Sequence, residues 1–240
     1  MLRFEENCND PINAPFSMSE LQTVLKGRKG SSPGPDNISY TMIEKLPFRV
    51  HERLLEMLNQ LYTAGTCPRS WRHSIVFPLR KNSENDHTSP SSYRPISLTC
   101  CICKIMERMI NNRLRWWLES KNLLQHYQSG FRTNRSTRDC ILHLHDDIYK
   151  AIANKRSTLA VFLDFEKAYD MVWREGLLYK LGTLGICGSM FRWIKSFLNN
   201  RTFQVRVGST LSDVFSLQNG IPQGSPEPSV ICHYDTRHPS

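Results

Sequence analysis

The order of apolar and polar positions along the chain predicts several amphipathic helices. The strongest pattern covers residues 99–119, where apolar side chains recur every three or four positions and keep one face apolar. A Ser-x-x-Glu capping box begins a shorter helix at Ser17, and Gly27 is expected to end it. A leucine-rich stripe over residues 54–62 leads to a helix end at Gly65. Further helices are predicted at residues 136–154, 175–181 and 189–199.

Short apolar runs between these helices predict a small sheet. Residues 159–163 are almost entirely apolar and lead directly into Asp164, which is the pattern of a buried central strand. A turn at Gly208 separates two shorter runs that favour an antiparallel pair. Helices combined with a small, partly antiparallel sheet indicate an α+β fold. The other strands are predicted at residues 73–79, 202–207 and 214–217.

The carboxylate of Asp164 needs a positive partner if the strand before it is buried, because desolvation of an unpaired charge is costly. Two interpretations follow from the pattern alone. Divalent metal ions bound together with a polyphosphate substrate would neutralise the charge. Alternatively, the aspartate caps a helix that begins just after it, as in many α/β proteins.

The charge balance favours a polyanionic partner. Lysine and arginine number 31 against 22 aspartates and glutamates, which gives a formal net charge of +9 and a pI of about 9.2. Arginines are concentrated between residues 69 and 138, where Trp, Tyr and Phe are interleaved with them. This combination favours a surface that follows nucleic acid, and a solvated basic face is the alternative.

The cysteines do not have the spacing of a zinc-binding framework. There are eight, and they do not form the two Cys-x-x-Cys pairs that a zinc finger needs. Cys100, Cys101 and Cys103 lie among apolar residues, where we expect them to be reduced and to pack as small hydrophobic side chains. No stretch has the length of a membrane span, and residues 1–6 lack the apolar core of a secretory signal. We therefore expect an intracellular protein, in the cytoplasm or nucleus, without a membrane partner.

Five segments, in the same order along the chain, resemble the motifs of reverse transcriptases from non-LTR retrotransposons of the jockey or LINE type. Each is short, but the order is difficult to obtain by chance, and the resemblance covers about residues 17 to 225. The segments are residues 32–36 (SPGPD), 93–98 (YRPISL), 130–137 (GFRTNRST), 163–170 (LDFEKAYD) and 220–225 (GIPQGS).

The resemblance implies an RNA-directed DNA polymerase, a nucleotidyltransferase that acts on an RNA template, a DNA primer and deoxynucleoside triphosphates. Two metal ions about 3.5–4 Å apart would hold the attacking hydroxyl and the departing pyrophosphate in line. Magnesium, or manganese in its place, prefers oxygen ligands. Asp164 is implied as the catalytic residue and metal ligand, and the backbone carbonyl of Phe165 as a further metal ligand.

The resemblance also implies substrate-binding residues outside the metal site. The ring of Tyr169 would stand against the sugar 2′ position and exclude a 2′-hydroxyl. Gln223 would lie beneath the incoming nucleotide and the template base, and Gly220 and Gly224 would allow close approach of the backbone. Guanidinium groups suit bidentate binding of phosphate oxygens. Phosphate contacts are implied for Arg94, Arg132 and Arg135.

Adjacent aspartates also occur at residues 143–147 (HLHDD), inside the helix predicted at 136–154. Neighbouring residues on a helix point about 100° apart, so these side chains cannot easily share one ion. We interpret the segment as a solvated helix face and not as a catalytic aspartate pair.

The chain departs from the family pattern near its end. No Tyr/Phe-x-Asp-Asp motif occurs in the 240 residues, and after Ser225 two prolines stand where the family begins a long helix. Proline inside a helix costs about 3 kcal/mol or more. We therefore expect a chain truncated before that motif, which does not bind magnesium productively and is inactive by itself.

The resemblance divides the chain into four parts and leaves three functional hypotheses. The expected fold is the fingers and partial palm of a right-hand polymerase, and the first hypothesis is a reverse transcriptase fragment. A non-catalytic nucleic-acid-binding remnant and a pseudogene product without function are the alternatives. The parts are an N-terminal helical extension (1–70), fingers (71–157), a partial palm (158–225) and a tail unlike the family (226–240).

Overall fold

The computed structural model has the α+β fold that the pattern predicts. It describes residues 4, 8–26, 32–82, 86, 88–164 and 167–224. The helices in this part of the chain are α1 (Met18–Leu25), α2 (Tyr40–Glu44), α3 (Phe48–Ala64), α4 (Cys101–Ser120), α5 (Thr137–Ala153), α6 (Arg174–Thr183) and α7 (Gly188–Leu198).

Local sequence signals determine the ends of α1 and α3. The Ser17 hydroxyl accepts a hydrogen bond from the Glu20 backbone N–H, and the Glu20 carboxylate accepts one from the Ser17 backbone N–H. The predicted capping box is therefore confirmed. α3 ends at Gly65, whose φ of 65° is the left-handed conformation that glycine adopts without steric cost. Gly27, the predicted end of α1, lies outside the described residues.

The sheet combines one parallel and several antiparallel pairings. β1 pairs antiparallel with β2 and parallel with β3. β3 in turn pairs antiparallel with β4 and with β5, which confirms the predicted pair joined through Gly208. The strand order is β2-β1-β3-β4, with β5 also on β3. The strands are β1 (His73–Arg80), β2 (Tyr93–Leu98), β3 (Thr202–Val207), β4 (Thr210–Leu211) and β5 (Phe215–Ser216).

The hydrophobic core is formed mainly by α1, α3, α4 and α7. The predicted apolar face of α4 is buried, with Met106 and Trp117 at most 1% exposed. Leu58 and Tyr62 of α3 and Trp193 of α7 are buried to the same degree. The most periodic helices of the sequence therefore supply the core.

The strand predicted at residues 159–164 is not a strand in the structure. Residues 156–164 have no regular secondary structure, and Leu159, Phe162 and Leu163 are 82 to 91% exposed. A strand needs a neighbour that offers free backbone N–H and C=O groups. β1 has β2 and β3 on its two sides, so the centre of the described sheet has no place for another strand. The apolar pattern indicates which side chains would be buried in a strand, but not whether a partner strand is present.

The cysteines include one feature that the sequence did not indicate. Cys100, Cys101 and Cys103 are buried as free thiols, as predicted, and burial raises the pKa of Cys100 to about 12. Cys8 and Cys187, however, form a disulfide across a sequence separation of 179 residues. A pairing between residues so far apart leaves no signature in cysteine spacing. The bond joins the segment before α1 to the beginning of α7.

Candidate active site

A loop of residues 219–224, here called the glycine loop, packs against the segment that follows Asp164. The backbone N–H of Gly220 donates to the carbonyl of Val172 at 3.1 Å, and that of Ile221 donates to the carbonyl of Tyr169 at 2.9 Å. Gly220 has a φ of 72°. A Cβ atom there would lie 2.6 Å from the carbonyl oxygens of Tyr169 and Asp170. The backbone contact therefore requires glycine at position 220.

The other end of the glycine loop contacts β2. The backbone N–H of Ser97 donates to the carbonyl of Gln223 at 2.8 Å. A Cβ atom on Gly224 would lie 3.3 Å from the Ser97 carbonyl oxygen, so the backbones approach closely here as well. Because β2 also carries Arg94, the loop connects three of the segments that the sequence analysis singled out.

Asp164 does not occupy the environment that the sequence predicted. It is exposed, at the end of the irregular segment 156–164, and not at the end of a buried strand. The helix-cap alternative also finds no support in the described residues, because the next helix begins at Arg174 with Trp173 as its N-cap. Phe165, the predicted backbone ligand, lies outside the described residues. The metal-binding role of Asp164 thus stays a prediction.

The segment after Asp164 is held in a turn. The backbone N–H groups of Asp170 and Met171 both donate to the Lys167 carbonyl, at 2.9 and 3.1 Å. Tyr169 is half-buried and packs against the core. Burial raises the pKa of Asp170 above its usual value, although nearby Lys167 acts in the opposite direction. The backbone carbonyl of Tyr169 therefore holds this residue beside the glycine loop.

The described residues do not make up a magnesium site. Among them, no three His, Cys, Asp or Glu side chains lie close enough together to hold a metal ion. Asp146 and Asp147 lie on α5, as predicted, and Asp146 accepts a hydrogen bond from Lys150 at 2.5 Å on an exposed helix face. A lone carboxylate at Asp164 does not supply the set of oxygen ligands that magnesium needs.

The guanidinium of Arg132 forms hydrogen bonds to other residues of the protein. Its Nε and Nη2 atoms donate to the two carboxylate oxygens of Glu119 at 2.8 and 2.5 Å. Its Nη1 donates to the backbone carbonyl of Gln125 at 2.8 Å. This bidentate pair ties the segment before α5 to the end of α4, and all three of its nitrogen atoms already have acceptors.

Arg94 and Arg135 have more open environments. Arg94 is exposed on β2, and Arg135 is half-buried with Nη1 donating to the carbonyl of His126. This contact uses one guanidinium nitrogen of Arg135 and leaves the other two for another acceptor. Of the three predicted phosphate-binding arginines, these two retain a geometry suited to phosphate.

Arg174 positions the glycine loop, and the sequence analysis did not identify it. Its Nε donates to the Gly220 carbonyl at 2.7 Å, and its Nη2 donates to the Asn219 carbonyl at 3.2 Å. The residue is 7% exposed, and burial together with nearby Arg201 lowers the pKa of its guanidinium. A lone arginine at a helix start is usually a surface residue, so no local signal predicted this role.

Comparison with known proteins gives the same family as the motifs. A sequence model described as reverse transcriptase (RNA-dependent DNA polymerase) matches residues 79–234, more than half of the chain. The chain belongs to the reverse transcriptase family. The matched residues include Arg94, Asp164, Tyr169 and Gln223.

Several relatives of this reverse transcriptase chain come from insect mobile elements. It is 32% identical over 226 residues to a probable RNA-directed DNA polymerase from transposon BS of Drosophila melanogaster, covering 90% of this chain and 25% of that protein. It is 33% identical over 224 residues to the RNA-directed DNA polymerase from the mobile element jockey of the same species, covering 89% of this chain and 24% of that protein. The Pol polyprotein of the type-1 retrotransposable element R2 of Popillia japonica is 27% identical over 214 residues, covering 88% and 28%.

The reverse transcriptase chain thus spans about a quarter of the length of these relatives. In the part that the structure describes, no helix combines the length and the apolar character needed to cross a bilayer.

Proposed function

We propose that this chain is the fingers and partial palm of a non-LTR retrotransposon RNA-directed DNA polymerase, and that the surface around the glycine loop binds an RNA template paired with a DNA primer. The supporting observation is the backbone connection through the loop, from Tyr169 at one end to Ser97 of β2 at the other. This connection joins three of the five family motifs. The names of the relatives, which describe RNA-directed DNA polymerases, support the same substrate class.

The charges near this surface suit a nucleic-acid backbone. The whole chain carries a formal net charge of +9, and Arg94 projects from the strand that the loop contacts. Phosphate contacts of this kind determine most of the affinity and its salt dependence. In the proposed complex Arg94 and Arg135 bind phosphate oxygens, while Tyr169 and Gln223 contact the incoming deoxynucleotide and its template base.

Substitution of Arg94 tests this proposal. Arg94→Ala removes a charge-assisted hydrogen bond worth about 1.5–3 kcal/mol, so we expect the dissociation constant for an RNA–DNA hybrid to rise about tenfold or more. Fluorescence anisotropy with a labelled hybrid at several salt concentrations measures both the affinity and the salt slope, which should become shallower. Arg49→Ala, which removes an exposed charge on α3, is the matched control and should have little effect. Equal affinities for wild type and Arg94→Ala would contradict the proposal.

Binding without catalysis is the second candidate function for this 240-residue polypeptide. It is favoured by the lack of a complete metal-binding cluster among the described residues and by the lack of a Tyr/Phe-x-Asp-Asp motif in the sequence. In this account Asp164 binds magnesium only together with further carboxylates. The chain would then hold a template and primer without extending the primer.

Primer extension separates the two functions. We expect the 240-residue polypeptide to give no extended product with magnesium or manganese, because one predicted carboxylate cannot replace the water shell of two hard cations. A labelled primer on an RNA template, resolved on a denaturing gel beside an active polymerase, provides the measurement. Template-dependent products that vanish with Asp164→Asn would show that the chain is catalytic and that Asp164 takes part in a metal site.

A further inference from the structure

A cavity of about 570 Å³ beside the glycine loop is lined by four arginines. Glu175 is the one acidic side chain among the described residues that line it. Asn199, Thr202, Ser216 and Gln218 add polar groups to the wall. This wall carries a large excess of positive charge and of hydrogen-bond donors. The four arginines are Arg69, Arg72, Arg174 and Arg201.

Arg201 lines this cavity and carries a donor that is unpaired within the described residues. It is 2% exposed, and its guanidinium carbon lies 4.4 Å from the centre of the Phe197 ring. Its Nη1 donates to the Phe197 carbonyl at 2.9 Å, but the buried Nη2 has no hydrogen-bond partner in the described part of the chain. Buried donors are nearly always paired, and an unpaired charged donor is especially costly. A ligand oxygen in the cavity would provide the acceptor.

Two of the other three arginines are held by hydrogen bonds to backbone carbonyls. Arg72 donates from Nη1 to the Asn199 carbonyl at 3.4 Å, and its buried Nε has no partner among the described residues. Arg174 is tied to the glycine loop through two backbone carbonyls. Arg69 is exposed at the cavity rim. Backbone carbonyls fix the guanidiniums of Arg72 and Arg174 without neutralising them, so this part of the cavity is preorganised for an anion.

Glu175 offsets only part of the positive charge in the cavity. None of the ion pairs formed between described residues involves one of these four arginines. Burial and the proximity of Arg201 lower the pKa of Arg174, which indicates that two cationic groups share this region. An anion bound between them would relieve their repulsion.

We propose that this arginine cavity binds a phosphate group. Planar guanidinium forks match the oxygens of a tetrahedral oxyanion, and a dianion suits a wall with four positive charges and one negative charge. The phosphate belongs either to a nucleic-acid backbone or to a free phosphate ion. In the first case the inference rests on the proposed function; in the second it is independent of it. Arg174 also donates hydrogen bonds to the carbonyls of Asn219 and Gly220. A phosphate bound in the cavity would therefore stabilise the glycine loop through Arg174.

Isothermal titration of the full chain with inorganic phosphate, in a chloride buffer, tests the proposal. We expect saturable binding at one site. The double variant Arg69→Gln/Arg72→Gln removes the two less buried arginines, and we expect its dissociation constant to rise about tenfold or more. Lys45→Gln/Arg49→Gln removes two exposed charges elsewhere and should bind phosphate as the wild type does. Arg69→Gln alone, at an exposed position, gives a second variant that keeps the buried contacts.

The outcomes separate this inference from the proposed function. No phosphate binding by the wild type, or equal weakening in the Lys45→Gln/Arg49→Gln control, would overturn the phosphate site. Loss of phosphate binding together with weaker binding of the RNA–DNA hybrid by Arg69→Gln/Arg72→Gln identifies the nucleic-acid backbone as the source. Loss of phosphate binding with unchanged hybrid affinity identifies a free phosphate ion. Arg94→Ala should leave inorganic phosphate binding unchanged. The affinity of this variant for the hybrid therefore tests the proposed function separately from the phosphate site.

Discussion

Gly220→Ala should destabilise the protein by about 3 kcal/mol or more and should abolish most of its affinity for an RNA–DNA hybrid. The residue has a φ of 72°, and the added Cβ would lie 2.6 Å from two carbonyl oxygens. Left-handed strain contributes about 1–3 kcal/mol, and the steric overlap forces the backbone to shift as well. Urea unfolding followed by circular dichroism measures the stability, and anisotropy measures the affinity.

Gly208→Ala is the matched control for this substitution. Gly208 lies in the turn between β3 and β4 with a φ of 60°, but a Cβ atom there would meet nothing within 4 Å. Only the conformational cost applies, about 1–2 kcal/mol. The difference in stability loss between Gly220→Ala and Gly208→Ala thus measures the contribution of the backbone contact at the glycine loop. Equal losses of stability, with hybrid affinity intact in both, would show that this contact does not organise the site.

Arg113→Ala should have a similarly large effect, by disrupting the attachment of the N-terminal segment to α4. The guanidinium binds both carboxylate oxygens of Glu20, at 2.6 and 2.9 Å, and lies 4.0 Å from the centre of the Phe16 ring. It also donates to the carbonyls of Ile12 and Pro15, at 3.3 and 2.8 Å. Its removal leaves a partly buried carboxylate and several carbonyls without partners. We expect a loss of about 3 kcal/mol in the free energy of unfolding.

The Arg113–Glu20 pair predicts that the free energy of unfolding depends on pH. Burial alone would raise the pKa of Glu20, but hydrogen bonds from Arg113 and Ser17 outweigh it and hold the pKa below its usual value of 4.5. The pair therefore stabilises the protein fully above about pH 4.5 and loses this effect as the pH falls through the lowered pKa. In urea unfolding between pH 2.5 and 7, the free energy of unfolding should fall more steeply toward acid pH for the wild type than for Arg113→Ala.

The exposed pair Arg53–Glu56 provides the control for this prediction. These side chains are 82% and 58% exposed. Exposed pairs contribute about 0–1 kcal/mol, so Arg53→Ala should leave stability nearly unchanged. A loss in Arg113→Ala no larger than that in Arg53→Ala would contradict the role given to Arg113.

The helical part of the fold could be predicted from the sequence because its signals are local. Capping at Ser17, the stop at Gly65 and the apolar face of α4 each depend on residues within a few turns of one another. The prediction of a strand before Asp164 was wrong, since strand formation depends on a partner that the local pattern does not contain. The disulfide and the role of Arg174 could not be predicted either, because both depend on contacts between residues that are distant in the sequence.

The candidate site was predictable only in part. The motifs identified Arg94, Tyr169 and the glycine loop. Backbone hydrogen bonds connect the loop to Tyr169 and to Ser97 of β2, the strand that carries Arg94. The bidentate contact of Arg132 with Glu119 could not be inferred, because an arginine in a polar loop has the same sequence pattern whether it binds a ligand or a neighbouring carboxylate. Likewise, the sequence did not show that guanidiniums from three segments of the chain meet in one cavity.

Photocrosslinking can locate the bound RNA–DNA hybrid on the protein. An RNA–DNA hybrid carrying 5-iodouracil near the primer end would be irradiated with the full chain, and crosslinked peptides would be mapped by mass spectrometry. We expect crosslinks to concentrate in β2, in residues 167–174 and in the glycine loop. Crosslinks confined to the exposed face of α3, with none in those three segments, would contradict this expectation.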